Sequence, residues 1–300
     1  MSIISISGLV KRYGKIPALK GISFDVRHGE IFALLGPNGS GKTTTLEILM
    51  GLRSFNEGEI RYFDAAGQQK VGLKIGPVFQ TPVYYDNLTV RELIKYYSQF
   101  YDTPSNHVDK YFDLVNLLDK LDCQYKDLSG GQKQQLSILL SLVNDPDILF
   151  FDEPSNALDP QIRLKIWDII RTLKSEGKTI IFTTHYIEEA EALADRVSIL
   201  SKGEILVTDN PENIIKLYND SFKVEFTLEQ PVDVESFEQF GVVGMSFFDG
   251  VYSFSVDSIN GRLMQIVKDM SEKLSISKIT IGKSSLEDVF VRLTGEKAAS

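Results

Sequence analysis

Residues 36–43 read GPNGSGKT, with the spacing G-x-x-x-x-G-K-[ST]. Glycine has no Cβ, so such a loop can wrap its backbone closely around phosphate groups and aim N–H donors at them. The stretch that follows, Thr43-Thr44-Thr45-Leu46-Glu47-Ile48-Leu49, suits a helix. The first turn of a helix adds unpaired N–H groups and the positive end of the dipole to an anion site. Lys42 is placed to meet the β and γ phosphates of a nucleotide, and Thr43 to set its hydroxyl on Mg2+. A glycine-rich turn could match these letters by chance, but here strand, loop and helix come in the order the site requires. Gly36, Pro37, Asn38, Gly39, Ser40, Gly41, Lys42, Thr43 and Thr44 are the candidate phosphate-binding residues.

A second element is ILFFDEP at 148–154. Four apolar residues deliver two carboxylates to the end of a buried strand. Asp152 is suited to hold Mg2+ through its water shell, and Glu153 to orient and deprotonate an attacking water. An Asp-Glu pair alone is weak, since such pairs are common on solvated strand ends; the phosphate loop gives it meaning. Between the two lies LSGGQ at 128–132, where Ser129, Gly130, Gly131 and Gln132 at a helix start make a second anion-binding nest. A nucleotide has one terminal phosphate, yet the chain has two phosphate-seeking elements. Two chains packed head to tail, each completing the site of the other, would reconcile them.

The elements that position these residues follow from apolar patterning. Ile3-Ile4-Ser5-Ile6, Ile22-Ser23-Phe24-Asp25-Val26 and Glu30-Ile31-Phe32-Ala33-Leu34-Leu35 read as strands, the last buried on both faces. A helical region is expected around 89–121, opened by Thr89 and Glu92 at capping-box spacing. Leu93, Ile94, Tyr97 and Phe100 recur in it at helical intervals, as do Val108, Phe112, Val115 and Leu118. Asp147-Ile148-Leu149-Phe150-Phe151 and Lys178-Thr179-Ile180-Ile181-Phe182-Thr183 read as strands around a helix at 161–175. This alternation predicts a mostly parallel sheet covered by helices, with an antiparallel part near the N-terminus. After about residue 215 the pattern changes to half-buried strands (Phe222, Val224, Phe226, Leu228; Tyr252, Phe254, Val256) and two amphipathic helices. One of these carries Ile259, Leu263, Ile266, Val267 and Met270, the other Leu286, Val289, Phe290 and Leu293, giving a small α+β domain.

Composition narrows the class. The chain has 300 residues, a net charge of -9, one cysteine (Cys123) and three histidines. The charge disfavours a nucleic-acid binder, and one cysteine allows neither an internal disulfide nor a cysteine zinc cluster. The start, MSIISISGLVKRYGK, is too polar for a secretion signal, and no apolar stretch reaches the roughly 20 residues a membrane span needs. A soluble chain in a reducing, cytoplasmic compartment is expected.

Taken together, GPNGSGKT, LSGGQ, ILFFDE and His185 after the next strand resemble very closely the ATPases of ATP-binding-cassette (ABC) transporters. Alone, His185 could also be an ordinary strand-end histidine. The resemblance implies an ABC-type P-loop NTPase fold over residues 1–215, with a mixed sheet and a helical subdomain at about 89–140. It implies ATP and Mg2+ as cofactors, and gives Ser129, Gly130 and Gly131 the role of contacting the ATP of a partner subunit. The SNALD segment at 155–159 looks like the loop across the dimer interface, with Asp159 its key acid. His185 looks like the switch histidine at the γ-phosphate, and Gln80 like the glutamine that senses Mg2+ and water. Tyr13 matches the aromatic residue that stacks on adenine. Residues 216–300 resemble the accessory domain of ABC-2 type exporter ATPases, with SSLEDVFVRLTG at 284–295 similar to that group's usual ending. The group pairs as homodimers beneath separate transmembrane permease subunits, which implies a peripheral position on the cytoplasmic face of the cell membrane.

Lys133-Gln134-Gln135 departs from a common arginine, and Asn156 from a threonine or serine. A soluble relative working on DNA or ribosomes would show a coiled coil, zinc cysteines or tandem cassettes, and none is visible. A nucleotide-gated regulator with negligible turnover is disfavoured by the presence of both Glu153 and His185. Tyr84, Tyr85 and Leu88, close to Gln80, are the expected contact with a membrane partner, the alternative being that the tyrosines are simply core or solvent-facing.

Overall fold

The computed structural model describes residues 1–70, 72–104, 107–219, 221–242 and 244–295. The chain divides into two compact units, Met1–Pro211 and Glu212–Gly295. Among the described residues no helix is long and apolar enough to cross a membrane.

The first unit opens with β1 (Ser2–Tyr13) and β2 (Ile16–Arg27), an antiparallel pair with Ile6 opposite Phe24. Both strands run well past the apolar cores Ile3–Ile6 and Ile22–Val26. Register shifts around Ile6, Leu9 and Lys11 let the polar ends keep pairing, as bulges do. Next come β3 (Ile31–Leu35), α1 (Lys42–Leu49), β4 (Glu57–Tyr62) and β5 (Ile75–Val78). β4 joins the other edge of β1, giving a three-stranded antiparallel sheet in the order β2-β1-β4.

The helical region is α2 (Val90–Ser98), the four-residue α3 (Phe112–Val115) and α4 (Gly130–Ser141), joined by short 3-10 turns. The Thr89–Glu92 capping box forms as expected. The helical region expected around 89–121 is present as separate short helices and not as one regular helix. Asp102-Thr103-Pro104 breaks it, because proline disfavours helical geometry in the residue before it, and Asn116 ends α3 in the left-handed region at φ 53°. Phe100 and Leu118, read as buried positions of that region, are 64% and 57% exposed.

The remainder of the unit is β6 (Ile148–Asp152), α5 (Pro160–Ser175), β7 (Thr179–Thr184), α6 (Ile187–Leu193), β8 (Arg196–Ser201) and β9 (Glu204–Asp209). The main sheet has the order β5-β6-β7-β3-β8-β9, parallel except for the last pair. β3, β6 and β7 are buried at every position, which explains the apolar runs Ile31–Leu35, Ile148–Phe151 and Ile180–Phe182. Alternate residues Phe32, Leu34, Ile148, Phe150 and Ile181 join Ile4, Leu9 and Val26 of the antiparallel sheet and Leu46 of α1 in one cluster. Helices α5 and α6 contact the same parallel sheet at β3 and β7.

The second unit contains α7 (Pro211–Asn219, from Glu212 onward), β10 (Phe222–Leu228), β11 (Ser246–Phe248), β12 (Val251–Val256), α8 (Gly261–Lys273), β13 (Ile276–Lys283) and α9 (Leu286–Thr294). Its sheet is antiparallel, in the order β11-β12-β10-β13, with Val224 opposite Phe254 and Ile281. Val224, Phe226, Phe237, Tyr252, Phe254, Leu263 and Met270 form its core. Ile259, placed by the sequence on the core face of a helix, precedes α8 and is 49% exposed.

Candidate functional site

Four neighbouring parallel strands, β5, β6, β7 and β3, end at one edge of the main sheet. Their register aligns Val78 with Phe151, Asp152 with Thr183, and Thr184 with Leu35. The next residues along each strand therefore lie side by side: Gln80 after β5, Glu153 after β6, His185 after β7 and the Gly36 loop after β3. Loops at the carboxyl ends of parallel strands are where α/β sheets bind ligands.

The loop 36–43 is fixed from both sides. The Gly36 N–H donates to Thr184 O at 3.2 Å, prolonging the β3–β7 ladder. A Cβ at Gly36 would lie 2.2 Å from Leu200 O, so no side chain fits there. Gly41, at φ 110°, turns the chain into α1 as its N-cap, and no side chain caps that helix. The first-turn N–H groups of α1 consequently have no partner within their own helix, an arrangement suited to binding an anion. Ser40 Oγ is buried without a hydrogen-bond partner.

A cavity of about 500 Å³ lies over this edge. Its walls include Asn38, Gly39, Gly41, Lys42, Thr43, Thr44, Gln80, Glu153, Asn156 and His185. Lys42 Nζ donates to Gly36 O (2.8 Å) and Pro37 O (3.2 Å) and lies 3.5 Å from Glu153 Oε1. Burial holds the Lys42 ammonium below the usual lysine range, against the pull of the Glu153 charge. Asp152 Oδ1 accepts from Thr183 Oγ1 (2.5 Å) and Thr43 Oγ1 (3.2 Å). Burial raises its carboxyl above the usual range, opposed by these two hydrogen bonds.

Glu153 sits at φ 48°, a left-handed backbone conformation uncommon outside glycine. Thr183 holds it there, since the Glu153 N–H meets both Thr183 Oγ1 (2.9 Å) and Thr183 O (3.2 Å). The Glu153 carboxylate accepts from Gln80 Nε2 (2.9 Å) and Asn156 Nδ2 (3.1 Å). His185 Nδ1 approaches Glu153 Oε1 to 3.3 Å without the alignment of a hydrogen bond, and is left buried and unpartnered.

Thr183 and Asn156 are the partners that motif reading overlooked. Thr183 had a signal, a hydroxyl at the end of an otherwise apolar strand directly before Thr184-His185. Asn156 was noted only as a departure in SNALD.

Other expected residues stand elsewhere. Tyr13, 40% exposed at the end of β1, has its hydroxyl 3.5 Å from Thr44 Oγ1. Lys11 Nζ and Arg53 Cζ lie over its ring at 5.2 and 5.3 Å. Ser129, Gly130, Gly131, Gln132 and Asp159 are not in the cavity wall. Ser129 is the N-cap of α4 in a capping box with Gln132, and Asp159 caps α5 by accepting from the Ile162 N–H at 3.0 Å. Near Gln80, Tyr85 is 56% exposed. Tyr84 is instead packed edge-on against Tyr97 and Tyr125, with its hydroxyl 3.1 Å from Ser137 Oγ. Burial pushes its phenol up to about 12. Tyr84 belongs to the interior of the helical region and is not the open contact the sequence suggested.

The donor set fits Mg2+. Thr43 and Asp152 offer hard oxygen atoms already within hydrogen-bond distance of each other. Among the described residues no group of three or more His, Cys, Asp or Glu could hold a metal alone. Mg2+ commonly binds through one or two carboxylates and the phosphates of its nucleotide, a pattern this pair matches.

Comparison with known proteins agrees with this architecture. A family model described as ABC transporter matches residues 19–156. The Nod factor export ATP-binding protein I of Ralstonia nicotianae is 32% identical, over 98% of this chain and 94% of that protein. The ABC transporter A family member 7 of Dictyostelium discoideum is also 32% identical, over 93% of this chain and 35% of that protein. Among solved structures, a dimeric ATP-binding cassette in a post-hydrolysis state with ADP and Pi is 27% identical with a TM-score of 0.61, covering 69% of this chain and 98% of that one. The chain belongs to the ATP-binding-cassette subunits of ABC transporters.

Proposed function

We propose that this protein hydrolyses ATP, with Mg2+, to drive an exporter whose membrane-spanning subunits are separate chains. The observation that carries the reading is the convergence of Lys42, Thr43, Gln80, Asp152, Glu153 and His185 where four parallel strands end. The α1 N-terminus and Lys42 bind the phosphates. Thr43 and Asp152 hold Mg2+, which supplies charge neutralisation at the phosphates. Glu153 takes a proton from water, whose oxygen bonds to the γ-phosphorus as the bond to ADP breaks. Gln80 and Asn156 aim the carboxylate, and the unpartnered His185 Nδ1 is free for the γ-phosphate or the water.

Ser129–Gln132 and Asp159 act on the nucleotide of a second copy in a head-to-tail homodimer. Their place outside the cavity wall supports this, as does a dimeric relative of known structure. Tyr13 borders the site through Thr44 and stacks on adenine. Residues 1–215 form the cassette and 216–300 an accessory domain that strengthens or regulates dimerisation. The division at Pro211 and Glu212 supports this arrangement. Export is supported by the Nod factor export proteins among the relatives. Docking to the permease, on the cytoplasmic face, uses the exposed apolar residues near Gln80 and just beyond α2: Phe79, Val83, Tyr85, Phe100 and Tyr101.

The test is paired. The purified subunit should release phosphate from MgATP, and Lys42→Ala should not. Tyr85→Ser should keep soluble turnover while its recovery on washed membranes containing the permease falls. Wild-type protein without MgATP turnover ends the ATPase reading; full membrane recovery and transport by Tyr85→Ser ends the docking surface.

A further inference from the structure

Glu189 on α6 is fully buried, and nothing in the proposed reaction uses it. One of its oxygens, Oε1, accepts two hydrogen bonds from different elements: Ser155 Oγ at 2.6 Å and Trp167 Nε1 at 3.0 Å. Ser155 and Trp167 are buried as well. Its other oxygen, Oε2, has no hydrogen-bond partner, and neither has the buried Nε of Arg163. The Arg163 guanidinium lies 4.5 Å over the ring of Tyr186, the residue after His185. A carboxyl group is expensive to bury, and a core built for stability alone would favour an apolar residue there. Burial pushes the Glu189 carboxyl above its ordinary range, against the hydrogen bonds of Ser155, Thr184 and Trp167 and the Arg163 charge.

The connections run toward the reacting groups. Ser155 is two residues beyond Glu153, and its neighbour Asn156 donates to the Glu153 carboxylate at 3.1 Å. Glu153 and Ala157 in this loop both have positive φ, 48° and 57°, so the backbone shape is imposed by surrounding contacts and not by local preference. Glu189 is four residues beyond His185 and sits on the helix that follows it. Accepting the assignment of Glu153 as the base, we propose that Glu189 is a positioning residue that holds the loop 153–159 through Ser155, and that Trp167, the only tryptophan, reads the state of that loop through the oxygen they share. A shift of Ser155 alters the charge available to the indole N–H, and so alters its emission.

The experiment uses the full-length chain and four proteins: wild type, Ser155→Ala, Glu189→Ala and Glu189→Gln. MgATP turnover, affinity for a non-hydrolysed ATP analogue, melting temperature and Trp167 emission with and without nucleotide are measured on each. Ser155→Ala deletes one hydroxyl and is expected to fold even if Glu189→Ala does not. Its turnover should fall at least about tenfold, the scale of one lost hydrogen bond to a charged group. Its affinity for the analogue should stay within about twofold, and the nucleotide-dependent change in emission should disappear. Glu189→Gln keeps an acceptor oxygen and should recover much of the turnover lost in Glu189→Ala. Ser155→Ala turnover within about twofold of wild type, or loss of turnover matched by an equal loss of affinity, would overturn the proposal. Failure of the underlying reading looks different: wild type without turnover, or Lys42→Ala with it.

Discussion

Replacing Glu153 by glutamine separates two jobs that its carboxylate performs at once. In the structure Oε2 takes the Gln80 and Asn156 donors, while Oε1 faces Lys42 at 3.5 Å and His185 at 3.3 Å. A glutamine can keep its oxygen toward the two amides only by turning its NH2 toward the ammonium. The ion pair is then lost; at an effective dielectric of about 20 its gross attraction is about 5 kcal/mol, much of it already offset by desolvation. Lys42 retains the carbonyls of Gly36 and Pro37, so the nucleotide-free variant should lose about 1–3 kcal/mol of stability. With ATP present the sign reverses, because one negative charge has left a wall that the triphosphate shares. Affinity should rise at least about tenfold, which adds about 1.4 kcal/mol of ligand stabilisation at fixed ATP. Turnover should drop by about 10²–10⁴, the usual contribution of a positioned base. Thermal melts with and without MgATP, together with single-turnover phosphate release, read all three. The variant should melt lower than wild type when empty and gain more on adding ATP. Phosphate release within about tenfold of wild type would refute the reasoning, because the proton must then go elsewhere.

Lys42→Ala should weaken ATP binding and abolish hydrolysis, which titration with labelled nucleotide and a phosphate assay will check. Thr183→Val removes the hydroxyl that serves both Asp152 and the Glu153 N–H, and should cost about 2–3 kcal/mol in stability along with most turnover; equal urea midpoints for variant and wild type would discard that role. Ser129→Arg should block hydrolysis while monomer ATP affinity stays intact, and an undisturbed homodimer of this variant would count against composite sites. In the second unit, Asp288 pairs with Lys223 at 2.7 Å and completes the Ser285 capping box, and its carboxyl lies below the ordinary range. Burial opposes that shift and the Lys223 hydrogen bond drives it. A depressed carboxyl contributes stability above the unfolded value of 3.8 and loses it as pH falls through the folded value. Asp288→Asn should therefore melt lower than wild type at neutral pH, by about 1–2 kcal/mol, with the gap closing in acid. A gap constant down to pH 2 would contradict the pairing.

The phosphate loop, the paired carboxylates and the buried strands were legible because each is a local pattern with few physical alternatives. Glycine spacing announces a close backbone approach, and a fully apolar run such as Ile148–Phe151 reads as a strand covered on both faces. The long polar ends of β1 and β2 were not legible, since their pairing depends on a partner strand and on bulges. The helical region was over-read because Val108, Phe112, Val115 and Leu118 keep a helical interval while Asn116 breaks the backbone between them. Tyr84 was misread because tyrosine suits a surface and an aromatic cluster equally, and only packing against Tyr97 and Tyr125 decides. The φ of Glu153 is imposed across strands by Thr183, so no neighbouring letter encodes it.

The capping box on α4 also limits how that helix can meet an anion. Ser129 Oγ accepts from the Gln132 N–H at 3.3 Å, and Gln132 Oε1 occupies the Ser129 N–H at 3.0 Å. A hydroxyl still has its hydrogen to give while it accepts, so capping leaves Ser129 free to donate outward. Its own N–H is not free, because the glutamine side chain already lies on it. An arriving phosphate would find the hydroxyl and the glycine N–H groups at once, and would have to displace Gln132 to reach one donor more. In the head-to-tail dimer proposed above, Gln132 would therefore compete with the phosphate for that one donor, and a more highly charged anion would displace it more readily.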